Sequence, residues 1–402
     1  MRALSLVLPL FLFACDDTKD DAGGDEGTTG ESGTEDSGEP EPEPEGVAAL
    51  GSTAHDIGAV TVTVVAVKSD GLRTPRDLAF NPDVEGELWV VNRQNDSATI
   101  FSNVGEADQI SDMRTDPYGF HFLEEVSSIA MGAVTFADSD ARTFGTCQES
   151  RNTYNDRARP NDFMGPTLWS ADHAIFGESN PDAVEYLSDL WDTYVDLGSH
   201  LDMLHESPNC MGIAWETENV YWVYDGFNAT IARYDFVEDH HIGFDDHSDG
   251  IIGKVADLSV TRLEDVPSHM EIDHDSGMLY AVDTGANRIL KLDTQTGDKG
   301  DRLPVTEPGV DHHVLENVEY SVFIDGADVD GMSAPSGLDL VDGHMLITDF
   351  ETGRIFAFDM DGELVDWVDS GRAEGIMGIE ARALDDIWFV DAAAEELVRL
   401  QP

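Results

Sequence analysis

From about residue 57 onward, short apolar runs alternate with polar turns, and the runs return in a fixed order. The recurring unit is an apolar strand, a polar turn, a second apolar strand ending in Asp, about five polar or small residues, and a third strand. The clearest copies are Leu279-Tyr280-Ala281-Val282-Asp283 followed by Arg288-Ile289-Leu290-Lys291-Leu292-Asp293, and Met345-Leu346-Ile347-Thr348-Asp349 followed by Arg354-Ile355-Phe356-Ala357-Phe358-Asp359. Residues 220–225 with 231–235, and 387–391 with 397–400, keep the same register, so the apolar residue six places after the Asp is Ile231, Ile289, Ile355 and Leu397. Residues 87–92 form a looser copy, with Asn92 in place of the Asp. Before each unit stands a candidate inner strand, at 76–80, 211–215, 269–273, 336–340 and 377–380, and a sixth at 127–131. Runs this short, bounded by Gly and Asp turns, read as strands. Six such units predict an all-β fold, a six-bladed β-propeller, because one blade cannot bury both faces whereas a ring of blades can. The β-rich run 60–67 precedes the first unit and the last unit stops after its third strand. The early run is therefore expected to supply the outer strand of the last blade.

The pattern of small residue, apolar strand, Asp, small polar turn and Arg-Ile resembles the NHL repeat. Over roughly residues 57–402 the chain resembles six-bladed NHL-type or TolB-like propellers, most closely around Asp283 and Asp349. The repeated Asp reads as structural, an acceptor for backbone N–H groups in the turn.

Met1 and Arg2 precede an apolar run, 3–14, too short to span a bilayer and suited to the h-region of an export signal. Leu12-Phe13-Ala14-Cys15 resembles the bacterial lipobox, which implies a signal peptide at 1–14, lipidation at Cys15 and a membrane partner through the lipid anchor. Asp16 and Asp17 resemble an inner-membrane retention signal of enteric bacteria; the choice of membrane stays open. Residues 16–46 hold thirteen acidic side chains and one Lys, with the run Glu39-Pro40-Glu41-Pro42-Glu43-Pro44-Glu45. Such a stretch buries no apolar area, so 15–46 reads as a disordered acidic tether and 47–402 as the propeller. The expected location is the bacterial cell envelope.

The 402 residues carry a formal charge of −60, with five Lys against seventeen Arg. No basic stripe exists to neutralise phosphates, which excludes nucleic acid as a partner. The acidity suits adaptation to salty water, with a cationic partner as the other reading. Cys147 and Cys210 remain once Cys15 is lipidated. In an exported protein they are expected to pair, and their spacing fits no zinc-thiolate motif.

Residues 138–207 break the repeat and read as a partly helical insertion, either a lid or binding loop or a decoration covering an edge. Asn180-Pro181-Asp182 is a helix start, and Ala183, Leu187, Leu190, Trp191, Tyr194 and Leu197 fall at helical spacing, predicting a helix over 181–197.

Thirteen His in so Lys-poor a chain raise a metal reading. His269 opens an inner strand, where side chains point to the central channel. Peptidylglycine amidating lyase, a propeller of this type, holds zinc with His at such positions. Here the equivalents are Arg76, Ser127, Asn209 or Cys210, Ser336 and Met377, so a ring of three His is absent. Loop residues His200, Met203 and His205, and His240, His241, Asp245, Asp246 and His247, could join His269. The metal set expected is thus His269, His205, His200 and His247, with copper suited to His/Met donors and zinc to His/Asp donors. The Asp-rich turns at 325–331 and 359–362 offer calcium, or are plain turns. Arg76 and His269 are the expected ligand-binding pair at the channel, with Arg76 suited to a carboxylate. HExxH, GxSxG and glycine-rich phosphate loops are absent. Two functions stand open: a membrane-tethered module binding a protein or small-molecule ligand at the propeller face, and a metal-dependent lyase or hydrolase with a divalent ion at the channel mouth.

Overall fold

The computed structural model describes residues 46–152 and 160–402; the signal, Cys15 and the tether up to residue 45 lie outside them. The inner strands Pro75–Phe80, Val126–Met131, Cys210–Thr217, Met270–Asp273, Pro335–Val341 and Ile376–Ala383 each lie against the next, and the last lies against the first. Six sheets, five of them antiparallel throughout and one with a single parallel pair, therefore close into a six-bladed propeller. The second strands run between two neighbouring blades and are buried on both faces, which is why Leu88–Asn92, Val220–Asp225 and Asp386–Asp391 read as nearly continuous apolar runs. Large rings fill the seams between blades. Trp89 of blade 1 meets Phe144 of blade 2 at 5.0 Å between ring centroids, and Trp169, Trp222 and Trp388 are fully buried.

The repeated Asp holds backbone at the end of the second strand, either in the turn that follows it (Asp225, Asp391) or in the connection that leads into the inner strand of the same blade (Asp283, Asp349). Asp225 accepts from Asn228 N–H, Asp283 from Thr261 N–H, Asp349 from Ser333 and Ala334 N–H, and Asp391 from Ala394 N–H. Ile231, Ile289, Ile355 and Leu397 are fully buried. The early β run closes the ring as expected: Thr61–Ala66 pairs antiparallel with Glu396–Gln401, from Thr61 opposite Gln401. A disulfide joins Cys147 in the second strand of blade 2 to Cys210 in the inner strand of blade 3, with their Cα atoms 5.1 Å apart.

Two expectations are corrected. Residues 138–207 are not an addition to the repeat: they supply the second, third and outer strands of blade 2, Thr143–Gln148, Thr167–Ser170 and the two-residue Asp202–Met203. Long connections and buried polar residues (Thr143, Thr146, Gln148) hide them from an apolar pattern. The helix is shorter than its spacing suggests, Pro181–Trp191. Asn180 caps it by accepting from Asp182 N–H, and Asp192 ends it in a left-handed conformation at φ 53°. Leu190, Trp191 and Tyr194 are thereby left exposed. Blade 3 is also wider than a repeat unit. The hairpin of Asp298–Arg302 and Asp311–Glu316, which lies within the blade 4 sequence, extends it to six strands, with Asp311–Glu316 parallel to Ile251–Val255. Among the described residues no helix is long and apolar enough to cross a membrane.

Candidate functional site

At the channel mouth Arg76 is 3 % exposed and donates from Nε to Glu149 Oε1 at 3.0 Å, with Nη1 2.9 Å from Met377 Sδ. Arg93 meets the same Glu149 oxygen and also Asp265, at 2.9 Å. Burial lowers the Arg76 pKa and raises that of Glu149, and their mutual attraction opposes both shifts. The result is a buried, internally compensated ion network beneath a cavity of 410 Å³ whose rim includes Arg151 and Arg262. His269 faces the channel from blade 4. Its Nδ1 is 3.5 Å from Asp77 Oδ1 and its Nε2–H donates to the Ser127 carbonyl at 3.2 Å. Farther along the inner strands the channel gathers Glu271, Asp339 and Glu380 in mutual electrostatic reach with Asp77.

The loop histidines assemble elsewhere, beside the short outer strand of blade 2. Segment 236–250 is laid along that strand by Gly243 N–H to the His200 carbonyl (2.8 Å), His240 N–H to Leu201 (3.3 Å) and Asn180 Nδ2 to Ile242 (2.8 Å). Three of the four expected metal residues, His200, His205 and His247, come together there; His269 does not, because it lies on the channel with Asp77. His121, unmarked by any sequence pattern, joins them. His121 Nε2 is 3.3 Å from His205 Nε2, and the His205 ring is 5.8 Å from that of His247. The His200 ring is 6.2 Å from that of His247. Phe122 stacks on His200 at 3.7 Å and Phe163 on His205 at 3.5 Å, fixing both ring planes.

Each of the three anticipated rings has its Nδ1 occupied: His200 by the Leu197 carbonyl (2.9 Å), His205 by Glu307 Oε2 (2.9 Å) and His247 by Asp202 Oδ1 (2.6 Å). Burial drives His121 and His200 down to about 3 and His205 well below the ordinary value, each with nearby imidazoles adding to the fall. His247 goes the other way. Burial opposes its charge, but hydrogen bonds to Asp202 and Asp245 outweigh it and lift the ring to about 10. At neutral pH the cluster therefore holds one imidazolium among three neutral rings. His200 Nε2 and Asp202 Oδ2 are buried without a hydrogen-bond partner among the described residues. Asp202 continues the network to His240, whose Nε2 is 3.8 Å from Oδ2 and 2.9 Å from Asp249 Oδ1.

A cavity of 620 Å³ adjoins this network. One wall is the exposed face of the Pro181–Trp191 helix, with Tyr186, Leu190 and Trp191. The other is His240, Phe244 and the carboxylates Glu238, Asp239, Asp245 and Asp246. No family model matches the chain. No curated protein sequence matches it either. Among solved structures, it is similar to a protein of unknown function from Bacteroides thetaiotaomicron at 11 % identity, covering 89 % of this chain and 75 % of that one with a TM-score of 0.49. An auxiliary nutrient binding protein from Bacteroides ovatus gives 11 %, 85 %, 76 % and 0.49. Virginiamycin B lyase from Staphylococcus aureus gives 11 %, 85 %, 99 % and 0.46. Likeness of this degree says nothing about activity.

The Asp-rich turns hold themselves together. Asp325 caps a short 3-10 turn through Ala327 N–H, and Asp359 accepts from Asp361 and Glu363 N–H. Asp202 and Glu307 were invisible in the sequence because neither sits in a motif; each is drawn to its histidine by pairing between distant segments.

Proposed function

We propose that the protein is a lipid-tethered, cell-envelope β-propeller that binds a small-molecule ligand in the pocket between the Pro181–Trp191 helix and segment 236–250. The observation that carries this reading is the concentration of exposed apolar side chains on one pocket wall: Tyr186 is 56 %, Leu190 60 % and Trp191 47 % exposed. Clustered exposed apolar residues on a cavity wall mark a binding surface, whereas scattered ones do not. The channel mouth fits less well, since Arg76 already has Glu149 and Met377 around it. Nile red, a neutral apolar dye, is expected to bind the full chain at one site. Trp191→Ala and Leu190→Asp should each weaken it about tenfold, the loss of one large apolar contact. Unchanged dye affinity in both variants would overturn the pocket assignment.

The anchor rests on the lipobox-like Leu12-Phe13-Ala14-Cys15. Cells given labelled palmitate are expected to label the wild-type chain and to leave Cys15→Ala unlabelled; equal labelling of the two sinks the anchor. A second reading, a metal-dependent lyase or hydrolase, needs donor atoms that converge on one point; His200, His205 and His247 lie near one another at the blade 2 edge, away from His269, but their Nδ1 atoms are engaged and His205 Nε2 meets His121 Nε2.

A further inference from the structure

We infer that Asp202, His240 and Asp249 hold a divalent cation at the edge of this pocket, and that the ligand is an apolar molecule ending in a carboxylate that the cation receives. The ligand half of the inference rests on the pocket reading; the cation half stands on geometry of its own.

One donor atom from each of Asp202, His240 and Asp249 lies within 4.8 Å of the others. Two donors on one ion at metal–ligand distances near 2.1 Å stand roughly 3 to 3.5 Å apart, and the separations of 2.9 and 3.8 Å about His240 Nε2 bracket that value. Asp202 is fully buried. Its Oδ1 accepts from Met203 N–H and from His247, both at 2.6 Å, which turns Oδ2 toward His240 with no hydrogen bond of its own. A buried carboxylate oxygen left unpaired is costly, and a cation removes that cost. The bond between His247 and Asp202 also supplies the outer support that ligating carboxylates need. On binding, the metal takes the lone pair of His240 Nε2, and the ring's single proton sits on Nδ1, moved there by exchange with water with no net proton lost from the imidazole.

Two carboxylates and one imidazole suit Zn(II) or Mn(II) better than a soft ion such as Cu(I). Three protein donors leave positions for other ligands; of the three, His240 lines the pocket, and we place the free positions on its side. This decides the ligand class. Glu238, Asp239, Asp245 and Asp246 would repel a bare carboxylate from the apolar wall; a divalent cation reverses the local field and allows its head group to bind.

Equilibrium dialysis of the full chain against Zn(II) in 0.5 M NaCl, which screens the acidic surface, tests the cation. One saturable equivalent is expected, weakened at least 30-fold in His240→Ala and in Asp249→Asn, with near-UV circular dichroism unchanged. Co(II) in its place should give a visible absorption band that His240→Ala loses. Undiminished affinity in both variants, or only weak, non-saturating uptake, overturns the cation site. Decanoate tests the ligand class: it should displace Nile red with zinc present and fail to do so without zinc or in His240→Ala. Equal displacement with and without zinc overturns the ligand class. Nile red binding to the metal-free chain separates the two claims, since a failed pocket removes dye binding and a failed cation site leaves it intact.

Discussion

Glu271→Gln should stabilise the propeller at pH 8 and leave its stability unchanged near pH 4. Glu271 sits in the channel with its pKa raised to about 8 by burial, and Asp339 and Asp77 add like-charge repulsion. Asp339 is raised to about 7 and Glu380 well above the ordinary range, burial leading in both. No side-chain hydrogen bond or ion pair holds the Glu271 carboxylate among the described residues. A carboxyl whose folded pKa exceeds its unfolded value near 4.5 binds its proton more tightly when folded. Its penalty is therefore absent below about pH 4.5, grows as pH rises, and is complete above about 8. The glutamine keeps the shape and removes the charge. A gain of about 2 kcal/mol or more at pH 8 follows from the linkage, allowing for screening by channel water. Paired denaturant melts of wild type and variant at pH 4.5, 6.5 and 8.5 check it. A difference that does not widen with pH, or a variant less stable at pH 8.5, would show that channel carboxylates do not repel one another as the geometry requires.

Replacing both cysteines by alanine is expected to cost about 4 kcal/mol, the chain-entropy value for a cross-link spanning 63 residues. Both residues are fully buried between blades 2 and 3, so the double variant also avoids stranding a free thiol. In a domain of this size the loss should lower the melting temperature by roughly 5–10 °C. The 63 residues spanned by the cross-link include the third and outer strands of blade 2, and the outer strand has only two residues. Without the bond, this is the blade with least backbone pairing to fall back on. A shift below about 2 °C would mean that side-chain packing alone secures it.

Five of the six blades were legible because their second and third strands are short and apolar and are separated by the same kind of turn, opened by Asp in four of them and by Asn92 in blade 1. An invariant local environment leaves an invariant local pattern. Blade 2 was not legible, because its strands are separated by long connections and its core uses Thr143, Thr146 and Gln148, whose hydrogen bonds replace apolar contact. The disulfide was expected from the count of cysteines in a chain read as exported, and the ring closure from a spare β run before the first unit and a last unit of three strands. The site was legible only in part. His200 and His205 share a segment and His247 stands in an Asp-rich loop, so composition drew attention to them. Of their partners, Asp202 lies between His200 and His205 on the outer strand of blade 2, whereas His121 and Glu307 arrive from two other parts of the chain. His269 shows the limit of positional reasoning: its place on the inner strand is as expected, yet Asp77 and the Ser127 carbonyl occupy its nitrogens.

The closing pair of strands also sets an order of events during synthesis. Thr61–Ala66 leaves the ribosome long before Glu396–Gln401, its hydrogen-bonded neighbour. Until that neighbour has been made it has no partner for this edge, although the five blades between them can form. Closure of the ring is thus a separate event from formation of the blades: each hairpin can form from neighbours in sequence, but the ring stays open until these two distant segments meet.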